Sequence, residues 1–203
     1  MPNASLFSGL GLFVDEHFLD LESCKTIRNH GGVGDSALAG VQKSTGESGV
    51  DTGVRRVQQT RLPRPLRGQL RTQLLSIQSL LEAHFETRLE GAEDPALLTY
   101  RPGDFYHPHR DGSEDPHMPE YLQRRRISVI VFLNTETDTP GSGSYCGGAV
   151  VFYGLVKKEG CEKYGLSLNG RAGVLVAFRS DIWHEVQPVT SGQRCTVVSW
   201  YYR

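Results

Sequence analysis

Apolar residues recur about every 3.6 positions between Arg61 and Glu86. Leu66, Leu70, Leu74, Ile77, Leu81 and Phe85 predict one long helix with a single stripe facing a core. Upstream, "GLFVDEHF" (11–18) reads as a short strand. Asp20 then suits the N-cap of a helix that begins "LESCKTIRNH", in which Leu21, Cys24 and Ile27 share a face. Between these helices, "GGVGDSALAGVQKSTGESGVDTG" (31–53) is rich in Gly and Ser and has no period, so a long mobile loop is expected, either a lid over a site or a plain connection.

From residue 96 the pattern changes. "ALLTY", "RISVIVFLN", "GGAVVFYG", "GVLVAF", "HEVQPV" and "RCTVVSWYY" are short, β-branched and aromatic, and are divided by Gly, Pro, Ser or Asn. "PVTSGQR" reads as a hairpin turn between the last two. Six strands after two helices predict a mainly β sandwich or barrel, buttressed on one face by the N-terminal helices. With no internal repeat and no low-complexity tail, 1–203 reads as one domain, with 1–95 as helical buttress and loop and 96–203 as barrel core.

Composition narrows the class. A chain of 203 residues can bury a core without disulfide or metal staples. Its net charge of −1 gives no field that would gather nucleic acid or an anionic membrane. No apolar run nears the roughly 20 residues of a membrane span. The N-terminus lacks a basic region, and its apolar patch runs into acidic residues, which argues against a secretory signal. Cys24, Cys146, Cys161 and Cys195 form no C-x-x-C pair, which argues against structural zinc. A reducing cytoplasm is the simplest setting, with a Cys146–Cys161 bridge left open.

The candidate chemistry lies in "YRPGDFYHPHRDG", Tyr100–Gly112. His-x-Asp/Glu alone is weak, since chance gives roughly 0.8 matches in this composition. A second match, His84 and Glu86, sits in the helical stripe, where residues two apart point to opposite sides. His109 and Asp111 follow a strand, whose alternate residues share a face about 6.6–6.8 Å apart, close enough to converge on one ion. His107 has the same parity, but His107 and Asp111 would be about 13 Å apart along a straight strand. His107 and His117 read better as solvent-exposed loop histidines. The third ligand should come from another strand, and His184 in "SDIWHEVQPV" is the candidate; its plainer reading is a barrel-rim histidine bonded to backbone. Arg194, ten residues on, favours the metal, because an Arg inside a strand is costly unless it meets an anion, and its fork suits a carboxylate. Thr196 shares that face and could add a hydroxyl. Two His and one carboxylate with open positions make the facial triad of non-haem Fe(II) oxygenases. The same set also serves hydrolytic zinc, but the Arg favours iron with a dicarboxylate co-substrate.

"YRPGDFYHPHRD", with His184 and Arg194 further on, resembles the prolyl 4-hydroxylase-type Fe(II)/2-oxoglutarate dioxygenases. The resemblance runs over nearly the whole chain, from "FVDEHFLDLESC" to "GRAGVLVAFRSDIWHEVQPVTSGQR". It implies a double-stranded β-helix, a jelly-roll or cupin-like barrel with iron held by His109, Asp111 and His184. By the same likeness Arg194 would grip the distal carboxylate of 2-oxoglutarate, and Tyr100 would bond the co-substrate near the metal. Tyr106, Trp200 and one of Arg125 or Arg126 would meet the substrate. Where some prolyl hydroxylases carry a co-substrate-binding Tyr, this chain has Phe132, which leaves the distal carboxylate to Arg194 and Thr196. The implied reaction consumes O2 and 2-oxoglutarate, releases succinate and CO2, and hydroxylates an unactivated C–H bond, with ascorbate a candidate reductant. The substrate would be a prolyl residue in a peptide or a small molecule such as a free amino acid. The competing readings are a non-catalytic sensor of metal or a small acid, and a zinc hydrolase.

Overall fold

The computed structural model describes residues 4–30, 36–42, 48–139, 141–156, 159–161 and 164–203. Its first part runs α1 (Ala4–Gly9), β1 (Leu12–Asp15), α2 (Leu21–Arg28), then the short strands β2 (Ser36–Leu38), β3 (Val41–Gln42), β4 (Ser48–Gly49), β5 (Arg55–Arg56) and β6 (Gln58–Thr60). After α3 (Arg64–Ser76) and α4 (Gln78–Phe85) come β7 (Gly91–Ala92), β8 (Ala96–Tyr100), β9 (Phe105–His109), α5 (Glu120–Arg124) and β10 (Arg125–Phe132). The chain closes with β11 (Tyr145–Gly147), β12 (Val150–Tyr153), β13 (Gly165–Leu168), β14 (Leu175–Arg179), β15 (His184–Val186), β16 (Val189–Gly192) and β17 (Arg194–Tyr202).

Two antiparallel sheets carry the architecture. The larger has the order β1-β14-β10-β17-β8-β6-β2, with β7 beside β17, and the smaller has the order β13-β12-β15-β9-β5. This is the expected jelly-roll, with helices on the outer face of the larger sheet. Strand parity in β17 shows the layering. Cys195, Val197 and Tyr201 pack in one core with Leu70, Leu74 and Leu81 of the helices. Arg194, Thr196, Val198 and Trp200 face the interior between the sheets. A second core of Leu98, Ile130, Phe132, Phe152, Phe178 and Val198 fills that interior. The Tyr201 hydroxyl donates to the Leu74 carbonyl and ties helix to sheet. Since Leu81 is fully buried between helix and sheet, Leu81→Ala should cost about 2–5 kcal/mol in urea denaturation, through lost burial and the cavity left behind.

Several elements differ from expectation. The long helix is two, broken at Ile77 (φ −99°, ψ 2°), whose N–H bonds back to Leu74 in a tight turn. Its stripe survives: Leu70, Leu74, Ile77, Leu81 and Phe85 are all buried, which is why periodicity alone could not reveal the break. Asp20 does cap α2, accepting from the Ser23 N–H at 2.7 Å, and that bond lowers its carboxyl pKa. Cys24 and Ile27 are buried as expected, but Leu21, the first residue of the helix, is 69% exposed. The helix meets the core only from its second residue triplet onward.

The 31–53 stretch is not simply a loop. Ser36–Leu38 pairs with Gln58–Thr60 at the edge of the larger sheet, the Ser36 and Thr60 hydroxyls meeting at 2.7 Å. Val41–Gln42 pairs with Ser48–Gly49. Strands of two or three residues are too short to show a hydrophobic period. Residues 31–35 and 43–47 lie outside the described set, so the lid reading falls partly on them.

"PVTSGQR" is not a hairpin turn either. Val189–Gly192 is a strand paired with Tyr145–Gly147, and it carries the chain from the smaller sheet (β15) to the larger (β17). Gly192 sits at φ 73° beside the Ser144 carbonyl and Tyr145, where no Cβ fits. All four cysteines are free, including Cys146 and Cys161. Among the described residues no helix is long and apolar enough to cross a membrane.

Candidate metal centre

His109 ends β9 and His184 begins β15, and the two are direct partners across the antiparallel ladder. Asp111 joins them because the chain bends after the strand. The Asp111 and Gly112 N–H groups both donate to the Ser180 carbonyl at 2.9 Å. Gly112 lies so close that an added Cβ would come 3.0 Å from Ser180 Cβ and 3.2 Å from the Arg125 carbonyl. The bend turns the carboxylate back between the imidazoles, with Asp111 Oδ1 3.6 Å from His109 Nε2 and Oδ2 3.6 Å from His184 Nε2. One ligand atom from each residue lies within 4.8 Å of the others.

The other ring nitrogens fix the orientation. His109 Nδ1 faces the His107 carbonyl at 2.8 Å, and His184 Nδ1 faces the Ile182 carbonyl at 3.0 Å. Each Nε2 is therefore left free to accept a metal. The His107 ring is exposed and packs on Phe105, so this residue contributes its carbonyl and not a ligand. His117 is exposed, and His84 packs on Phe13 and Phe85.

Electrostatics suit a cation. Burial, with His184 beside it, holds the His109 imidazole well below its usual range, which keeps a lone pair available. Burial alone would raise the Asp111 carboxyl, but His184, His109, the Trp200 indole and Arg125 together bring it down to about 2. The Tyr106 ring stacks on His109 at 3.4 Å between centroids.

The larger sheet supplies the opposite wall. Tyr100 and Arg194 are direct partners across β8 and β17, and Thr196 is next on the same face. Arg194 is 1% exposed. Its Nη1 reaches the Thr196 hydroxyl at 3.4 Å, while Nε and Nη2 are buried with no partner. The guanidinium lies over the Tyr100 and Phe132 rings, 5.0 and 5.3 Å from their centroids. No acid forms an ion pair with it among the described residues; Glu136, which feels its charge, is itself raised by burial. Gly148 (φ 73°) makes room, since a Cβ there would come 2.9 Å from Arg194 Cδ. Two imidazoles and a carboxylate on one wall fit ferrous iron. A desolvated guanidinium edge on the other fits a carboxylate.

Sequence reading missed Tyr145, whose hydroxyl packs by Phe132 and Gly170 and is buried without a partner. Burial pushes it up to about 12 against the pull of the neighbouring Arg194. It precedes "CGGAVVF", one residue outside any recognisable strand pattern.

A groove of about 570 Å³ opens over His109 and Asp111, with Tyr106, Tyr121, Trp183 and Trp200 among its other lining residues. Of the two candidate arginines, Arg125 reaches it, lying 3.7 Å over the Trp200 ring and held by Glu93 at 2.6 and 2.7 Å. Arg126 does not line the groove. A bulge between Arg125 and Ile127 turns it to the Gln123 and Arg125 carbonyls, beside Arg179 and Asp181. A second missed residue, Arg55, lines both the groove and the inner cavity. It lies in "VRRVQQT", where nothing in the sequence distinguishes it from Arg56.

Comparison with known proteins agrees with this geometry. Two PKHD-type hydroxylases are similar to part of the chain. The one from Psychrobacter sp. (strain PRwf-1) is 32% identical over 108 residues, 52% of this chain and 36% of that protein. The one from Sphingopyxis alaskensis is 30% identical over 105 residues, 52% of this chain and 42% of that protein. The chain thus spans less than half the length of these relatives. Among solved structures, a Pseudomonas putida prolyl-4-hydroxylase superposes with TM-score 0.72 at 22% identity, covering 98% of this chain and 97% of that one. A Trichoplax adhaerens prolyl hydroxylase, solved with a hypoxia inducible factor peptide fragment, gives 0.67 at 18% identity, covering 98% and 86%. These likenesses establish the shared fold. The sequence profile described as 2OG-Fe(II) oxygenase superfamily matches residues 95–202, which include His109, Asp111, His184 and Arg194, and the chain belongs to that family.

Proposed function

We propose that the protein is an Fe(II)- and 2-oxoglutarate-dependent dioxygenase that hydroxylates an unactivated C–H bond, in the manner of prolyl 4-hydroxylases, with release of succinate and CO2. One observation carries this reading: the His109–Asp111–His184 cluster on one sheet faces the unpaired, buried Arg194 on the other. When bound, ferrous iron with 2-oxoglutarate and O2 supplies the oxidation. The chain's own residues provide position and field. His109, Asp111 and His184 hold the metal. Arg194 and Thr196 receive the distal carboxylate, and Tyr100 bonds the co-substrate nearer the metal. Tyr106 and Trp200 shape the substrate's approach, and Arg125 takes the place expected for Arg126. Ascorbate is the proposed reductant that keeps the iron ferrous. A cytoplasmic setting accords with four free thiols. The substrate is a peptide or a small molecule; prolyl peptides are suggested by what the structural neighbours are named for.

A zinc hydrolase would want a free general base over the metal. The two acids of the groove beyond the triad, Glu93 and Asp94, are both in ion pairs, with Arg125 and Arg67. A bare sensor has no use for a 570 Å³ groove over its ligands.

The test is anaerobic addition of Fe(II) and 2-oxoglutarate, which should give the weak visible charge-transfer band of a keto-acid chelate. Succinate release is then screened over proline peptides and metabolites, with product mass read for one added oxygen. Absence of the band in metal-loaded protein would refute the reading. Tyr145→Phe should raise the Kd for 2-oxoglutarate, read from that band, about 10- to 100-fold, as expected for one hydrogen bond to a charged group. An unchanged Kd would assign the hydroxyl a purely structural role.

A further inference from the structure

Among the described residues, the groove over the His109–Asp111 end of the cluster holds an arginine, Arg55, that has no acid partner and a buried nitrogen with nothing to bond. Arg55 lies in β5, directly opposite Tyr106 of the metal-bearing strand β9. It lines the inner cavity together with His109, Asp111 and His184, and it also lines the outer groove. Its Nη1 donates to the Gly40 carbonyl at 2.9 Å, its Nε is buried without a partner, and among the described residues no acid pairs with it. The groove's two acids besides Asp111 are paired, and Arg110, which like Arg55 has no acid partner among the described residues, is exposed to solvent. Glu93 grips Arg125 at 2.6 Å, Asp94 meets Arg67 at 3.2 Å, and Arg110 lies over the Trp183 ring at 5.1 Å.

Arg55 is half-buried, and its Nε, withdrawn from water without a partner, carries a desolvation cost that a carboxylate offsets through charge-assisted hydrogen bonding. The side chain is also oriented. It lies 4.5 Å over the Tyr106 ring, which stacks on the metal ligand His109. A group bound there is held at a fixed offset from the metal, which is what selects one carbon for attack. Arg55 is separate from Arg194, which lies on the opposite sheet against Tyr100 and Phe132. Among the described residues the cavity therefore has two guanidinia without an acid partner, one on each wall.

Resting on the dioxygenase reading above, we propose that Arg55 anchors a carboxylate carried by the substrate, so that the enzyme acts on carboxylic acids of amino-acid size or on a peptide's free carboxylate. Internal, uncharged prolyl residues leave this cation unmatched.

The test uses full-length protein loaded anaerobically with Fe(II) and 2-oxoglutarate. Appearance of the charge-transfer band establishes the underlying reading; without the band, that reading fails and Arg55 is not at issue. The loaded protein is then titrated with free L-amino acids, their carboxamides, and short peptides with free or amidated C-termini, and displacement of the band reports binding. At least one free carboxylate should bind about 10- to 100-fold more tightly than its amide, the range expected for hydrogen bonds to a charged group. Free amino acids binding without peptides would identify a small acid; peptides binding through their C-termini would identify a peptide carboxylate. Arg55→Gln should bring acid and amide to equal affinity while the Kd for 2-oxoglutarate stays within about twofold, and Arg55→Lys should recover part of the preference. The proposal is overturned if amides or internal prolyl peptides bind as well as acids. It is equally overturned if no carboxylate in the panel moves the band, or if Arg55→Gln weakens 2-oxoglutarate as much as any acid.

Discussion

Asp111→Ala is expected to abolish substrate-dependent 2-oxoglutarate turnover, by a factor of at least about 10³, beyond the 10- to 100-fold typical of losing an outer partner of a metal ligand. Among the described residues, the carboxylate is the only anion between the two imidazoles, 3.6 Å from each Nε2. Without it, a dication would be held by neutral nitrogens alone in a buried site. The fold should survive, because the bend at 111–112 is held by backbone bonds to the Ser180 carbonyl and not by the side chain. Circular dichroism and urea denaturation should therefore match the wild type, while metal content after gel filtration falls. His184→Ala should behave alike. Full activity in iron-replete Asp111→Ala protein would remove the basis for the metal assignment.

Arg194→Met is expected to divide affinity from stability in an uncommon way. A buried guanidinium with two unpartnered nitrogens weighs against the ligand-free protein, so an apolar side chain of similar length should leave its stability unchanged or raise it. Co-substrate binding should suffer instead. Truncating one partner of a buried charge pair costs about 2–5 kcal/mol, which puts the rise in Kd for 2-oxoglutarate at 30-fold or more. Iron binding should stay near normal, since Arg194 and the metal ligands stand on different sheets. Thermal denaturation reads both effects together. Wild-type protein should gain about 2.7 kcal/mol at 2-oxoglutarate a hundredfold above Kd, and the variant should gain almost nothing at that concentration. A variant that lost iron while keeping its co-substrate would contradict the role.

Much of this site was legible because strand parity is a strict code. Residues 194, 196, 198 and 200 alternate into the cavity and 195, 197 and 201 into the helical core, so Thr196 followed from Arg194 by counting, and Trp200, which the family likeness offered, falls on the same face. His109 and Asp111 were legible for the same reason, although the detail differs: Asp111 lies past the strand end and reaches its place through a bend that two backbone bonds and a glycine create. What stayed hidden depends on tertiary placement. The bulge that exchanges Arg125 for Arg126 has no local signature. Arg55 and Tyr145 sit on strands of two and three residues whose pairing is decided by distant partners. The break at Ile77 was invisible because the apolar stripe continues through it. "PVTSGQR" looked like a reversal within one sheet because a crossing between sheets uses the same Gly and Ser residues.

The division of labour between the sheets has a further consequence. The metal ligands belong to one wall and the guanidinium of Arg194 to the other, so a dicarboxylate bound at both ends serves as a crossbar. The aromatic packing of Phe132, Phe152 and Phe178 lies between the walls and touches both ends of the site, with Phe178 edge-on to His184 at 4.7 Å and Phe132 under the Arg194 guanidinium. On the proposed reading that packing would act as a gauge of molecular length, and a four-carbon keto diacid should bind more weakly than the five-carbon one.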